Sequence, residues 1–304
     1  MKIEMQNVYH YTSLEVLLKL LDSIRDNNII FYATRIIELN DKSELIYGFR
    51  KFWKLLPDIE KELKIDNDEY KLSNLSGNES NQKDGLPQLI YNGLTNSRHI
   101  PFIISFSNDK DNLPMWNMYA NNGYGVALGF KIQFCFSNRI SPNNSLIDLT
   151  AYDPLKPITL KVLYGNISKS SNIYRFAKIL YSNYYSKVQG INDIKEILKK
   201  QLDLIEELGI AASVLLKHPS FSFEKESRYY CKVLDTDSIN FRINARGNVI
   251  PFVEVPIPIS MFKKIVIGPC RDINNIEDII SIRLKQKGLE GIKIEKSKIP
   301  YRNF

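Results

Sequence analysis

Charged side chains gather at two predicted strands, where they could act as an acid, a base or a partner for a ligand hydroxyl group. His10 lies near the end of a predicted strand at residues 8–12, directly before a helix. Glu224, Glu226 and Arg228 alternate at the start of a later strand and therefore point to one face. Two carboxylates beside a guanidinium can move their pKa values apart, which suits acid–base chemistry. The same residues also have simpler interpretations. Glu224, Glu226 and Arg228 could form a solvated row of ion pairs, and His10 could be a strand histidine that is hydrogen-bonded only to backbone groups.

Aromatic and small polar side chains form a second set of candidates. Trp116 and Tyr119 are one helical turn apart, so their rings could stack on a nucleobase or a similar flat ring. Aromatic pairs at this spacing are also common in protein cores. Ser105 and Ser107 alternate with Phe106 at the end of a predicted strand, as small polar groups on a cleft wall do.

The sequence does not have the patterns of several common sites. Its three cysteines are far apart and form no Cys-x-x-Cys pair, which argues against a disulfide framework or a structural zinc site. Neither a glycine-rich phosphate loop nor a nucleophile elbow is present. Asn40, Asp41 and Glu44 could bind a ribose or a metal ion, although Asp41 and Glu44 also have the spacing of a helix-capping pair.

Hydrophobic periodicity predicts the elements that must position these residues. The first strand leads into a helix that begins near Ser13, for which Thr12 and Glu15 have the spacing of a capping box. Further strands are predicted at residues 29–33, 102–106, 126–130, 160–164, 228–233, 249–255, 264–267 and 291–295. Because the strands are spread along the chain and the helices come in blocks, we expect an α+β fold with a mixed, mostly antiparallel sheet and flanking helices.

Length and composition favour one α+β domain over residues 1–304, with 44% hydrophobic and 25% charged residues. Within it, residues 66–98 read as a mobile polar insertion or lid, and residues 172–217 as a helical subdomain with a weak point at Gly190. The N-terminus has no signal-peptide pattern and no apolar run long enough for a membrane span, so we expect a cytoplasmic protein with no membrane partner. The net charge of +7 suits an anionic partner, but a solvated surface of mixed charge explains it as well.

Six short motifs follow one another along nearly the whole chain. They are Tyr9-His10-Tyr11-Thr12-Ser13, Leu39-Asn40-Asp41-Lys42-Ser43-Glu44, Phe106-Ser107, Trp116-x-x-Tyr119 with Gly125, Phe223-x-Lys225-Glu226-x-Arg228, and Ile267-Gly268-Pro269. The series resembles the bacterial domain-of-unknown-function family numbered 2971. That family name implies no activity.

A more distant resemblance does imply one. A histidine in the first strand, then a helix and an aromatic-rich strand, and a glutamate on a late strand are similar to the His-Tyr-Glu arrangement of diphtheria-toxin-like ADP-ribosyltransferases. The resemblance implies an ADP-ribosyltransferase-like sheet core, with NAD as the substrate. His10 would bind one ribose hydroxyl, Glu226 would hold the other and stabilise the transition state, and an aromatic residue would stack on nicotinamide. The middle tyrosine of the arrangement has two candidates, Tyr47 and Tyr119.

The resulting hypothesis is an NAD-dependent ADP-ribosyltransferase or NAD glycohydrolase, acting as a bacterial toxin or antiphage effector. The catalytic candidates are Glu226, Glu224 and Tyr119, and the NAD-binding candidates are His10, Tyr11, Thr12, Tyr32, Asn40, Asp41, Ser105, Ser107, Trp116 and Arg228. The acceptor would be a nucleic acid or a protein, and the basic charge favours nucleic acid. An antitoxin or another regulatory partner would fit such a role.

Two alternatives remain open at this point. The first is a non-catalytic module that senses a nucleotide in the same cleft. The second is a metal-dependent nuclease that uses Asp41, Glu44, Glu224 and Glu226.

Overall fold

The computed structural model describes residues 4–39, 44–76, 101–134, 158–233, 236–244, 247–269 and 273–301. The strands in these ranges are β1 Glu4–Thr12, β2 Asn28–Arg35, β3 Pro101–Ser107, β4 Val126–Phe134, β5 Ile158–Lys161, β6 Leu163–Tyr164, β7 Leu216–Lys217, β8 Glu226–Lys232, β9 Asn240–Ile243, β10 Val249–Pro258, β11 Phe262–Ile267 and β12 Lys293–Lys296. The α-helices are α1 Leu14–Asp22, α2 Glu44–Trp53, α3 Leu56–Glu62, α4 Leu113–Tyr119, α5 Asn172–Val188, α6 Ile194–Leu215 and α7 Ile273–Gln286.

Ten of these strands form one sheet. Its main path runs in the order β12-β11-β4-β1-β3-β2-β10-β9, and β8 and β5 branch from β3. The pairs are antiparallel except for β11 with β12, while β6 and β7 form a separate parallel pair. The predicted α+β class with a mixed, mostly antiparallel sheet is therefore confirmed.

Strand β3 is the junction of the sheet because it pairs with three other strands. All seven residues of β3, from Pro101 to Ser107, pair with strand β8. A strand has only two edges, so β1 and β2 must share the remaining edge. β1 pairs there at Ser107 and β2 at Phe102 and Ile103, which leaves a gap between β1 and β2 beside the middle of β3.

Helices cover both faces of the sheet. On one face, α1 and α7 bury Leu17, Leu21, Ile280 and Leu284 against a strand core that includes Val8. Tyr9 and Tyr11 alternate with Val8 and so point to the opposite face, where α4 packs on them through Met115 and Trp116. Helices α2, α3, α5 and α6 pack on that same opposite face, against side chains that include Ile103 and Tyr230. The cleft described below lies between α4 and this larger group of helices.

The first helix begins one residue later than the capping-box spacing predicts. Ser13 is the N-cap, and its hydroxyl accepts a hydrogen bond from the backbone N–H of Val16 at 3.2 Å. Thr12 still belongs to β1, where it pairs with Val126, and Glu15 bonds Lys19. The predicted pair of Thr12 and Glu15 is therefore wrong, because the strand continues through Thr12.

The predicted helical section contains α5 and α6, with Gly190 at a φ of 81° in the turn between them. Of the predicted polar insertion at residues 66–98, the first part contains short 3-10 turns, and residues 77–98 lie outside the described ranges. Among the described residues, no helix is long and apolar enough to cross a membrane.

Candidate functional site

A polar cleft opens where β1, β3 and β8 meet, and it encloses about 550 Å³ including its open mouth. The lining residues are Tyr9, His10, Tyr11, Leu39, Ser105, Phe106, Ser107, Met115, Tyr119, Lys217, Glu224 and Glu226. Eight of the predicted ligands and catalytic groups therefore lie around one cleft. Arg228 lies behind Glu226, and the other seven line the cleft directly. These seven are His10, Tyr11, Ser105, Ser107, Tyr119, Glu224 and Glu226.

Two buried carboxylates share one lysine at the floor of the cleft. The Nζ atom of Lys217 lies 2.6 Å from Oε2 of Glu224 and 3.1 Å from Oε2 of Glu226. The side chains of these three residues are only 8%, 4% and 3% exposed. Because burial removes water from the charges, they depend on one another for stabilisation.

Arg228 holds Glu226 from behind. Its Nε and second terminal nitrogen donate to the two carboxylate oxygens of Glu226 at 3.0 Å each, in a bidentate arrangement. The other terminal nitrogen donates to the backbone carbonyls of Ser213 and Val214 near the end of α6. Arg228 is fully buried, so it orients Glu226 instead of contacting a ligand directly.

The backbone between the two glutamates takes an unusual conformation. Glu224 ends a 3-10 helix, Glu226 begins β8, and Lys225 between them has left-handed angles of φ 45° and ψ 49°. Asn108 binds the Lys225 carbonyl through both its backbone N–H and its side-chain amide. The Lys225 ammonium also pairs with Asp109 at 2.9 Å. A non-glycine residue in this region is strained, and here the strain sits between the two carboxylates of the site.

Ser105 connects the histidine to the glutamate. Nδ1 of His10 lies 3.0 Å from the backbone carbonyl of Ser105, and the Ser105 side chain acts on Glu226 by lowering the pKa of its carboxyl group. Since a carbonyl oxygen can only accept, Nδ1 carries a proton, and in the neutral ring Nε2 is left as an acceptor. The ring meets Phe31 and Phe106 edge-on. Both belong to the same core as Val8, so the His10 side chain lies on the opposite face of the sheet from Glu226 and borders the cleft at the gap between β1 and β2.

Burial sets the protonation of these groups. Desolvation lowers the pKa of His10, the bond to the Ser105 carbonyl opposes this, and the charge of Arg242 adds to it. Desolvation also raises the pKa of Glu226, and Glu224 adds to the rise, while Lys217 opposes it. For Lys217 itself, desolvation lowers the pKa, but the two carboxylates together outweigh it, so the pKa lies above its ordinary value. His10 is therefore neutral near pH 7.

Tyr119 on α4 joins the network from the other side of the cleft. Its hydroxyl donates to Oε1 of Glu224 at 2.6 Å. The hydroxyl of Ser107 donates to the backbone carbonyl of Glu224 at 2.7 Å, and the backbone N–H of Glu226 donates to the Tyr164 hydroxyl at 2.8 Å. The Glu224 carboxylate is thus held from α4, while the backbone at the two glutamates is held from β3 and β6.

Several predicted NAD-binding residues lie away from the cleft lining. Trp116 is fully buried, and its indole N–H donates to Asp111 at 2.8 Å, so it offers no free face for stacking. Tyr32 is 43% exposed and stacks on Phe252 instead. Thr12 is buried in β1, and Asn40 and Asp41 lie outside the described residues.

Metal binding finds no support in the described ranges. No group of three or more histidine, cysteine, aspartate or glutamate side chains there could hold an ion. Asp41 and the Glu44 side chain, which the nuclease hypothesis needs, lie outside the described residues.

Lys217 is the site residue that sequence reasoning missed. It follows the apolar C-terminal end of a long helix in the run Val214-Leu215-Leu216-Lys217, and a lone lysine there resembles an ordinary helix end. A signal was present, since a lysine directly after so many buried residues must either reach solvent or find a carboxylate. Its partners are close in sequence, at positions 224 and 226.

Comparison with known proteins adds one finding. Residues 115–229 match the family described as "Protein of unknown function (DUF2971)". This range includes Tyr119, Lys217, Glu224, Glu226 and Arg228, but not His10 or Ser105. No curated protein and no solved structure matches the chain.

Proposed function

We propose that the protein is an NAD-dependent ADP-ribosyltransferase, or a related NAD-cleaving enzyme, that works at this cleft. The supporting observation is that Ser105 adjoins both His10 and Glu226, which come from the first and a late strand. Its backbone carbonyl accepts from the His10 ring, and its side chain lowers the pKa of the Glu226 carboxyl group. The proposal includes an ADP-ribosyltransferase-like character for the sheet core. It also includes a role as a cytoplasmic toxin or antiphage effector, with a nucleic-acid acceptor favoured by the net charge of +7.

The chemistry of the cleft suits cleavage of a glycosidic bond. In the proposed reaction the bond between the ribose C1′ and the nicotinamide nitrogen breaks, and its electron pair neutralises the departing nicotinamide. The ribose then carries oxocarbenium character, which the Glu226 carboxylate stabilises. The acceptor nucleophile forms the new bond to C1′ and loses a proton to solvent or to a nearby base. Nε2 of His10, as the acceptor nitrogen of the neutral ring, would hold a ribose hydroxyl during this step.

One observation favours a second candidate, a non-catalytic nucleotide-binding module. Both carboxylate oxygens of Glu226 are already engaged by Arg228, and one of them also by Lys217. A carboxylate so fully paired also suits a purely structural role. The two candidates differ in turnover and not in binding, so an activity measurement separates them.

The deciding experiment follows labelled NAD incubated with purified protein and a bacterial lysate. Wild type is compared with Glu226→Gln, which keeps the size of the side chain and removes its charge. We expect Glu226→Gln to lose about 100-fold or more of nicotinamide release, because the transition state loses its stabilising carboxylate. Nuclease and protease treatment of the labelled products identifies the acceptor class.

The matched control is Glu254→Gln, the same change at an exposed glutamate on β10 that pairs with Arg25. It should keep wild-type turnover. Thermal unfolding of both variants shows whether any loss reflects unfolding. Absence of NAD turnover by the wild type in every fraction would contradict the enzyme proposal and favour the binding module.

A further inference from the structure

Lys217 occupies a special place among the groups of the cleft. Among the described residues that line the cleft, it alone is a lysine or an arginine. It is the second residue of β7, the strand that directly follows α6, and it bridges Glu224 and Glu226. Arg228 pairs with Glu226, whereas Lys217 contacts both carboxylates. The bridge therefore connects two acidic groups that would otherwise repel each other.

The charges at the cleft floor balance only while Lys217 is present. Two carboxylates face one ammonium and one guanidinium, all with side chains less than 10% exposed. Without the ammonium, two buried carboxylates would share a single cation. In such a pair one carboxylate takes up a proton, because two negative charges at close range in a dry site cannot both persist.

We propose that Lys217 is a positioning residue that keeps Glu224 and Glu226 side by side as carboxylates, and so presents Glu226 to the cleft in its ionised form. The value of this arrangement for catalysis rests on the proposed function, since a carboxylate and not a carboxylic acid stabilises a positive transition state. The ionisation itself does not depend on the proposed function: desolvation raises the pKa of Glu226, and the nearby cations Lys217 and Arg228 favour its charged form.

The other groups around Glu226 do not replace this role. They are Arg228 on β8, Glu224 before β8, Ser105 on β3 and the Tyr164 hydroxyl on β6. Tyr119 on α4 reaches Glu224. Burial lowers the pKa of His10 on β1 and so keeps it neutral near pH 7, and Tyr164 is a neutral phenol whose pKa burial raises further. Among these groups Arg228 is the remaining cation.

The test replaces the ammonium with an apolar side chain of similar length, Lys217→Met. The full-length protein is labelled with carbon-13 at the glutamate carboxyl groups, and the signals are assigned with Glu224→Gln and Glu226→Gln. In wild type we expect both carboxyl groups to be ionised at pH 7. In Lys217→Met we expect one of them to be protonated there, with its titration moved up by about one to three pH units.

The matched control is Lys161→Met, which removes an exposed lysine on the neighbouring strand β5. Its carboxyl titrations should equal those of wild type. If both glutamates stay ionised at pH 7 in folded Lys217→Met, the proposal is overturned. The double variant Lys217→Met with Glu224→Gln restores one cation for one carboxylate, so Glu226 should return to its ionised form.

The double variant Lys217→Met with Glu224→Gln also tests the proposal when Lys217→Met alone does not fold. If Lys217→Met does not fold, the double variant should recover a cooperative thermal transition, and no recovery would overturn the proposal. Where the wild type cleaves NAD, the acid limb of kcat/KM against pH should also move upward in Lys217→Met and stay in place in Lys161→Met. A wild type without NAD turnover would end the proposed function, while the carboxyl titration still decides the role of Lys217.

Discussion

His10 shows how one side chain is fitted to the cleft by its surroundings. Its ring lies against Phe31 and Phe106, and one nitrogen is fixed by the carbonyl of Ser105. This environment lowers the pKa of the ring, chiefly through desolvation. The same environment leaves Nε2 as an acceptor, so the ring offers a hydrogen-bond site without a charge.

The lowered pKa of His10 predicts a pH dependence of stability. In the unfolded chain a histidine titrates near its ordinary pKa of about 6.5. As pH falls through this value, the unfolded state takes up a proton that the folded state does not, so the free energy of unfolding decreases. The loss should be at most about 1.4 kcal/mol per pH unit and should stop once the pH is below the native pKa.

The variant His10→Asn keeps a donor for the Ser105 carbonyl and cannot titrate. We therefore expect a weaker loss of stability between pH 7.5 and 5.5 than in wild type, as measured by urea unfolding. His218→Asn is the control, because His218 is exposed and Asn can replace it as the cap of the following turn. An unchanged slope in His10→Asn would show that His10 is protonated equally in both states.

At the scale of elements, the start of α1 sets the position of the histidine strand. β1 runs to Thr12 and the helix begins directly at Leu14, so Ser13 alone makes the turn. The cap satisfies a backbone N–H that the first turn of the helix cannot pair internally.

We expect Ser13→Ala to lower the free energy of unfolding by about 1 kcal/mol, since it removes this cap. Urea unfolding measures the change. Glu15→Gln should change stability much less than Ser13→Ala, because Glu15 makes an exposed pair with Lys19 that water screens. A larger effect at Glu15 than at Ser13 would support the capping box that the spacing predicts and contradict the cap seen in the structure.

Most strand positions could be predicted from periodicity, because most strands of this sheet alternate or are largely apolar. Strand β9 was missed, since all four of its residues are exposed and give no such pattern. The start of α1 could not, since Thr12 and Ser13 are both good caps and only the pairing of Thr12 with Val126 decides between them. The carboxylate pair was visible as Glu224-x-Glu226. The role of Lys217 could not be predicted, because its contact with the carboxylates depends on α6 ending beside β8, and no local sequence pattern indicates this. Trp116 was placed in the ligand set by its type, yet packing puts it in the core.

At the scale of the whole molecule, close backbone contacts hold distant segments together near α4. A Cβ atom on Gly125 would lie 2.2 Å from the carbonyl oxygen of Thr12. A Cβ atom on Gly268 would lie 2.3 Å from the carbonyl oxygen of Gly123. The end of β1, the turn after α4 and the end of β11 therefore meet at distances that only glycine permits.

Gly125→Ala should destabilise the protein by about 3 kcal/mol, since the added methyl group meets backbone atoms that cannot move aside. Thermal unfolding measures this as a lower Tm. Gly291→Ala is the matched control, because a Cβ atom there meets nothing within 4 Å. Equal Tm values for the two variants would mean that the segments can separate at little cost.

The position of β3 at the centre of the sheet has a consequence for synthesis on the ribosome. Ser107 on β3 and Glu224, which its hydroxyl binds, are 117 positions apart in the chain. At usual translation speeds, β8, which pairs with one whole edge of β3, is therefore synthesised roughly ten seconds after β3. During this interval a strand of mostly buried side chains exposes unpaired backbone groups, which is the condition under which nascent chains aggregate. A chaperone that shields this edge would therefore matter more for the yield of this protein than for its final stability.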